Sequence, residues 1–213
     1  MTDRAAPLSF GSIPRPAFGR VAQHLDAPAA APRKVTTADR RYMRAARLAG
    51  ELLPELPEPG ETVHALMLGT FDLCQVITAT AKLLPDLHRI RIATLCYSKR
   101  NAKELAALLE TRKCGLTLLV SVFFRDHNKE GHEQTVADLT AFPNVSIGAA
   151  RNHCKVVTFD FGEGDELVFE GSANLRANKN REQLAVFRSR ELHDFHAAWI
   201  DDLVSKGNAE EDK

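Results

Sequence analysis

From Val63 to Phe187 short β-branched runs alternate with amphipathic stretches, and this alternation limits the architectures open to the chain. Val63–Leu68, Arg89–Tyr97, Gly115–Phe124 and Val145–Ala149 read as strands. Between them, Leu73–Leu84, Asn101–Thr111 and Glu133–Ala141 carry apolar residues at helical spacing. Cys154–Phe161 and Glu166–Glu170 read as a hairpin about Gly162–Asp165, and Gln183–Phe187 as one more strand. The last predicted helix is Arg190–Val204, with Leu192, Phe195, Trp199, Ile200 and Leu203 turned inward. The order predicts an α/β fold, a mixed β-sheet flanked by helices on both faces. In open α/β sheets ligands bind beyond the carboxyl ends of the parallel strands. Here those ends are polar and basic, Ser98–Asn101 and Arg125–Lys129.

The first sixty residues have a different texture. Five of the ten prolines fall in residues 1–32, which predicts a flexible, extended arm over 1–35. Residues 36–59 read as a basic helix, capped by Thr36 or Thr37, followed by a linker at Pro54, Pro57 and Pro59. The main domain is then 60–205, with an acidic tail at 206–213. The 213 residues balance 28 Lys and Arg against 28 Asp and Glu, which excludes a uniformly basic sleeve for nucleic acid. Residues 1–50, however, hold nine basic residues against three acidic ones, so the remainder is mildly acidic. Such an arm, with Arg40, Arg41, Arg44 and Arg47 on its helix, is either a solvated tail or a handle for a polyanion. No apolar run is long enough to span a membrane and no secretory signal is evident. Cys74, Cys96, Cys114 and Cys154 form no C-x-x-C pair, so reduced thiols and a cytoplasmic location are expected, with Cys154 packed in the core.

The chemistry-bearing stretch is Arg151-Asn152-His153-Cys154-Lys155 through Asp160, followed by Gly171-Ser172-Ala173-Asn174 and then Glu182. Side chains two apart on a strand share a face, so His153 can stand with Lys155, and Ser172 with Asn174. A hairpin would gather the four about one point. An imidazole can attack phosphorus and hold it covalently. An ammonium, an amide and a hydroxyl can neutralise the charge that develops on the phosphoryl oxygens.

His153-x-Lys155-x4-Asp160 with Gly171-Ser172-x-Asn174 resembles the H-x-K-x4-D…G-S-x-N signature of the phospholipase D superfamily, and the strand–helix order from Val63 to Phe187 fits that family. The resemblance implies a phospholipase D-like sheet and a phosphodiesterase needing neither metal nor cofactor. His153 would be nucleophile or acid, Lys155 and Asn174 would bind phosphate, and Ser172 would support them. Glu182 would orient His153, with Asp160 a structural partner. Arg151, Arg176, Lys179 and Arg181 would attract a polyanionic substrate. Members usually carry two copies of the motif, whereas single-copy members act as homodimers with the site on the two-fold axis. One copy is present here. His127-Asn128-Lys129 is a second H-x-K, but Gln134 stands where the Asp would be and no G-S-x-N follows, so it is a decoy whose loop can border the cleft.

The expected activity is therefore that of a homodimeric nuclease with nucleic acid as substrate and no membrane. Two alternatives remain: a nucleic-acid-binding protein with little chemistry, and a phospholipase or phosphatidyl transferase. His193 and His196 lie three apart as metal ligands can, but lack companion ligands in sequence and read as surface or core-edge histidines.

Overall fold

The computed structural model describes residues 37–211, with side chains from 40 to 207. The expectations for the Pro-rich arm and for a Thr36 or Thr37 cap lie outside what is described. In chain order the elements are α1 (Thr37–Leu52), β1 (Thr62–Met67), α2 (Leu73–Thr80), β2 (Leu87–Ala93), α3 (Lys99–Arg112), β3 (Gly115–Ser121), α4 (Val122–His127), α5 (Lys129–Thr140), β4 (Val145–Ala150), β5 (Val156–Phe161), β6 (Asp165–Gly171), β7 (Glu182–Phe187) and α6 (Arg190–Glu211).

The seven strands form one sheet in the order β1-β7-β6-β5-β2-β3-β4. β2, β3 and β4 run parallel, as their helical crossovers require, and the other neighbours are antiparallel. Val157, Phe159, Phe169, Ile90, Ile92, Leu116 and Leu118 face the layer of α1, α2, α3 and α5. The opposite face carries a smaller core of Ala93, Leu119 and Val156 under Ile200 and Val204 of α6. α6 fits closely because β4 offers Gly148, where a Cβ would lie 2.9 Å from the Val204 Cα. The predicted mixed sheet with helices on both faces is the observed one.

Local differences have physical causes. The apolar run predicted as one strand to Phe124 breaks at Ser121, whose hydroxyl accepts from the Phe123 backbone N–H at 3.2 Å and caps α4. That turn moves Phe123 from the sheet to the surface. The basic helix α1 also packs inward, because Ala45 and Ala49, with Leu53 just past its end, are buried in the main core. α6 continues through the expected acidic tail to Glu211. Its inward stripe is His193, His196, Ala197, Ile200 and Val204, so Phe195 falls out of phase and is 65% exposed. Strand β5 begins at Val156, so the alternation does not reach Cys154, which is exposed rather than packed in the core.

The buried histidines take inward positions because carboxylates meet them. His196 Nε2 lies 2.6 Å from Glu170 and accepts the Trp199 indole N–H at its Nδ1, 3.0 Å away. His193 pairs with Asp160, which also accepts from Arg91 at 2.8 Å. Burial raises the Asp160 carboxyl, but His193 and Arg91 outweigh it and hold the pKa below its usual value. Burial likewise lowers His193, and Asp160 with Asp194 more than restores it, so its pKa is raised. The Asp160 contribution is present above about pH 4 and fades as acid titrates the folded carboxyl; the His193 contribution is full below about pH 6.5 and fades as alkali titrates the folded imidazolium. Asp160→Asn is thus expected to destabilise the fold by about 1–3 kcal/mol, most between about pH 4 and 6.5. Thermal denaturation across that range checks it. A loss that is absent, or that does not vary across this range, would show that pairing of His193 with Asp160 adds no pH-dependent stability.

Candidate active site

The two halves of the motif sit in loops, not on strands. His153 and Lys155 precede β5, and Ser172 to Asn174 follow β6. Antiparallel pairing of β5 with β6 brings them together, since the Gly171 N–H donates to the Lys155 carbonyl at 3.1 Å. Asn152 shapes the first loop. Its side-chain oxygen accepts from the Cys154 N–H at 2.8 Å and its amide donates to the Thr94 carbonyl at 3.2 Å, leaving His153 exposed. Lys155 is buried, and its ammonium donates to His153 Nδ1 at 2.9 Å and to the His153 carbonyl at 2.7 Å. Burial lowers the Lys155 pKa against the raising influence of Cys154, Glu182 and Cys96.

The second half is anchored on the same residue. Asn174 Oδ1 accepts from the Leu95 N–H at 3.1 Å and from the Thr94 hydroxyl at 3.4 Å. Thr94, just beyond the carboxyl end of β2, therefore ties Asn152 to Asn174. Sequence reasoning missed it; its one signal was a lone hydroxyl between Ala93 and Leu95, inside the predicted strand.

Glu182 accepts from the Ser172 hydroxyl and, at 2.5 Å, from the Asn178 amide. These bonds, aided by the Lys155 charge, hold its carboxyl below the usual value. Its hydrogen bonds thus go to Ser172 and Asn178 rather than to His153, for which it was the expected orienting carboxylate. Asp160 stands apart. It lies five residues along β5 from Lys155, roughly 16 Å at strand rise, and is engaged by Arg91 and His193. Arg151, Arg176, Lys179 and Arg181 are all exposed. Among the described residues no three or more His, Cys, Asp or Glu are arranged to hold a metal ion, and no helix is long and apolar enough to cross a membrane.

A cavity of about 700 Å³ opens beside His153 and Arg151, walled by Leu95, Phe123 and His127. His127, out of place as a motif member, therefore borders the same cleft.

Gly171 is required by close approach. A Cβ there would collide with the Gln183 carbonyl on β7, which accepts from the Ser172 N–H at 3.1 Å. Gly171→Ala is expected to cost about 2–4 kcal/mol and to lower the melting temperature. A variant as stable as the parent would show that β6 and β7 can part freely at this point.

No protein-family profile matches the chain. No curated protein matches it in sequence. Solved structures do match it. Nuc from Salmonella typhimurium, described as a phospholipase D family member, is 16% identical with a TM-score of 0.51, over 69% of this chain and 97% of its own. NucT from Helicobacter pylori is 18% identical with a TM-score of 0.48, over 68% and 97%. The phosphatidylserine synthase of Haemophilus influenzae Rd KW20 is 14% identical with a TM-score of 0.46, over 83% and 47%. The chain has the phospholipase D superfamily fold.

Proposed function

We propose that the protein is a metal-independent phosphodiesterase, a nuclease that works through a phosphohistidine intermediate in a homodimer. The observation that carries this is the His153 imidazole against the buried Lys155 ammonium at the mouth of a cavity. A phosphate draws the ammonium from the ring more strongly than a neutral nitrogen holds it. The freed ring nitrogen then attacks phosphorus, and the P–O bond to the leaving oxygen breaks. Lys155 and Asn174 neutralise the phosphoryl oxygens, while Ser172 and Glu182 brace the loop that carries Asn174.

The leaving oxygen needs a proton, and a second His153 supplies it. Water then releases the phosphate from the first His153, giving its proton back to the second. This reading requires two copies. The face formed by His64, Leu66, Ala185 and Phe187 on β1 and β7 supports it, because it is open, exposes His64 and Leu66, and borders Gly171 and Gln183 beside the site. Nucleic acid is favoured as substrate by the exposed Arg151, Arg176, Lys179 and Arg181 around the motif.

The test is hydrolysis of DNA, RNA and phosphatidylcholine in excess EDTA. Cleavage of a nucleic acid under EDTA is expected. Loss of all hydrolysis in EDTA would sink the metal-free mechanism, and cleavage of the lipid alone would make the protein a phospholipase.

A further inference from the structure

Phe123 has no role in the chemistry above, yet it is 63% exposed on the wall of the cavity that holds His153. It is not a loose side chain. Its ring lies against the His127 ring with centroids 4.1 Å apart and planes 33° from parallel. His127 is itself fixed, because its Nδ1 lies 2.8 Å from the Phe123 carbonyl one helical turn back. The short helix α4 thus presents a stacked pair of flat rings, with one apolar ring facing solvent. Burying Phe123 would be ordinary for a residue from a β3-like apolar run; the Ser121 cap instead holds it outside.

We infer that Phe123 and His127 form a stacking platform for a nucleobase of a single-stranded substrate, next to the phosphate held at His153. A base has a π-face whatever its identity, so such a platform reads unstacked bases without reading sequence. The cavity has room for a base beside the phosphate, and Arg151 on its rim meets the backbone charge. Bases in a duplex are already stacked on their neighbours, so single strands are preferred over duplex. The inference rests on the nucleic-acid reading of the site for its substrate, but its test separates the two.

Two single-stranded oligonucleotides of equal length are compared, one ordinary and one built from stable tetrahydrofuran abasic units with the same phosphates. Both binding, by fluorescence anisotropy, and cleavage are measured. The wild-type protein is expected to prefer the strand with bases by about tenfold, the scale of one stacked base. Phe123→Ala is expected to treat the two alike, and Phe123→Trp to keep the preference. Retention of the preference in Phe123→Ala overturns the platform. So does a changed oligomeric state of Phe123→Ala by light scattering, which would assign the ring to an interface between copies. If the wild type cleaves neither strand, the phosphodiesterase reading falls, and the anisotropy comparison still decides the platform.

Discussion

His153→Ala is expected to lose at least about 10⁴-fold in hydrolysis of any phosphodiester that the wild type cleaves, with no loss of folding. The size follows from the role. Removing a covalent nucleophile leaves no second group to accept phosphorus, and in a two-fold site it removes the general acid as well. Folding is spared because His153 is exposed in a loop whose shape is set by Asn152, and among the described residues its ring bonds to Lys155. Steady-state rates, with melting curves as control, check this. Equal activity of the variant would remove His153 from the chemistry. His127→Ala serves as the internal comparison. It lines the same cavity but has no motif partners, so its effect is confined to the platform and stays near tenfold.

The fold was legible because its pattern repeats over long segments. Alternating apolar runs, such as Val156–Phe161 against Asp165–Gly171, admit one register that buries Val157 and Phe159 with Phe169. The last helix was legible in position and, at Trp199, Ile200 and Leu203, in phase, but not at Phe195. Phe195 looked inward by hydrophobicity, yet His193 and His196 took the buried places because Asp160 and Glu170 satisfy them there. No periodicity of apolar residues encodes such a partner. The same limit hid α4, where a single Ser121 hydroxyl outweighs the β-propensity of Val122, Phe123 and Phe124.

The candidate site was legible as two stretches of sequence, but the bonds that link its members were not. The spacing of His153 to Lys155 and of Gly171 to Asn174 located its two halves, and the β5–β6 hairpin joins them as expected. Thr94 was invisible because it acts from eighty residues away through Asn174 and through a backbone carbonyl to Asn152. Glu182 was singled out as a carboxylate for His153, but its partners are Ser172 and Asn178. Ser172 and Asn178 lie close along the same connection and occupy the carboxylate, which spacing alone cannot rank against His153.

Leu66→Arg is expected to convert a dimer to a monomer and to lower phosphodiester hydrolysis by at least about 100-fold, the scale of lost general-acid catalysis. Leu66 is 64% exposed on the edge strand β1, opposite Gln183, so an arginine there disturbs no core packing, and stability should change by no more than about 0.5 kcal/mol. In a dimer the same arginine would be buried unpaired against a copy of itself across the two-fold axis, which is strongly unfavourable. The link to activity is geometric. Gln183 donates its N–H to Ser172, and Glu182 accepts from the Ser172 hydroxyl, so the proposed interface begins one residue from the loop that holds Asn174. Light scattering and hydrolysis rates on the same sample check both halves. A dimer that persists in Leu66→Arg places the interface elsewhere. A monomer with full activity means that one chain supplies both nucleophile and acid, and His127, across the cavity from His153, becomes the group to test for that proton.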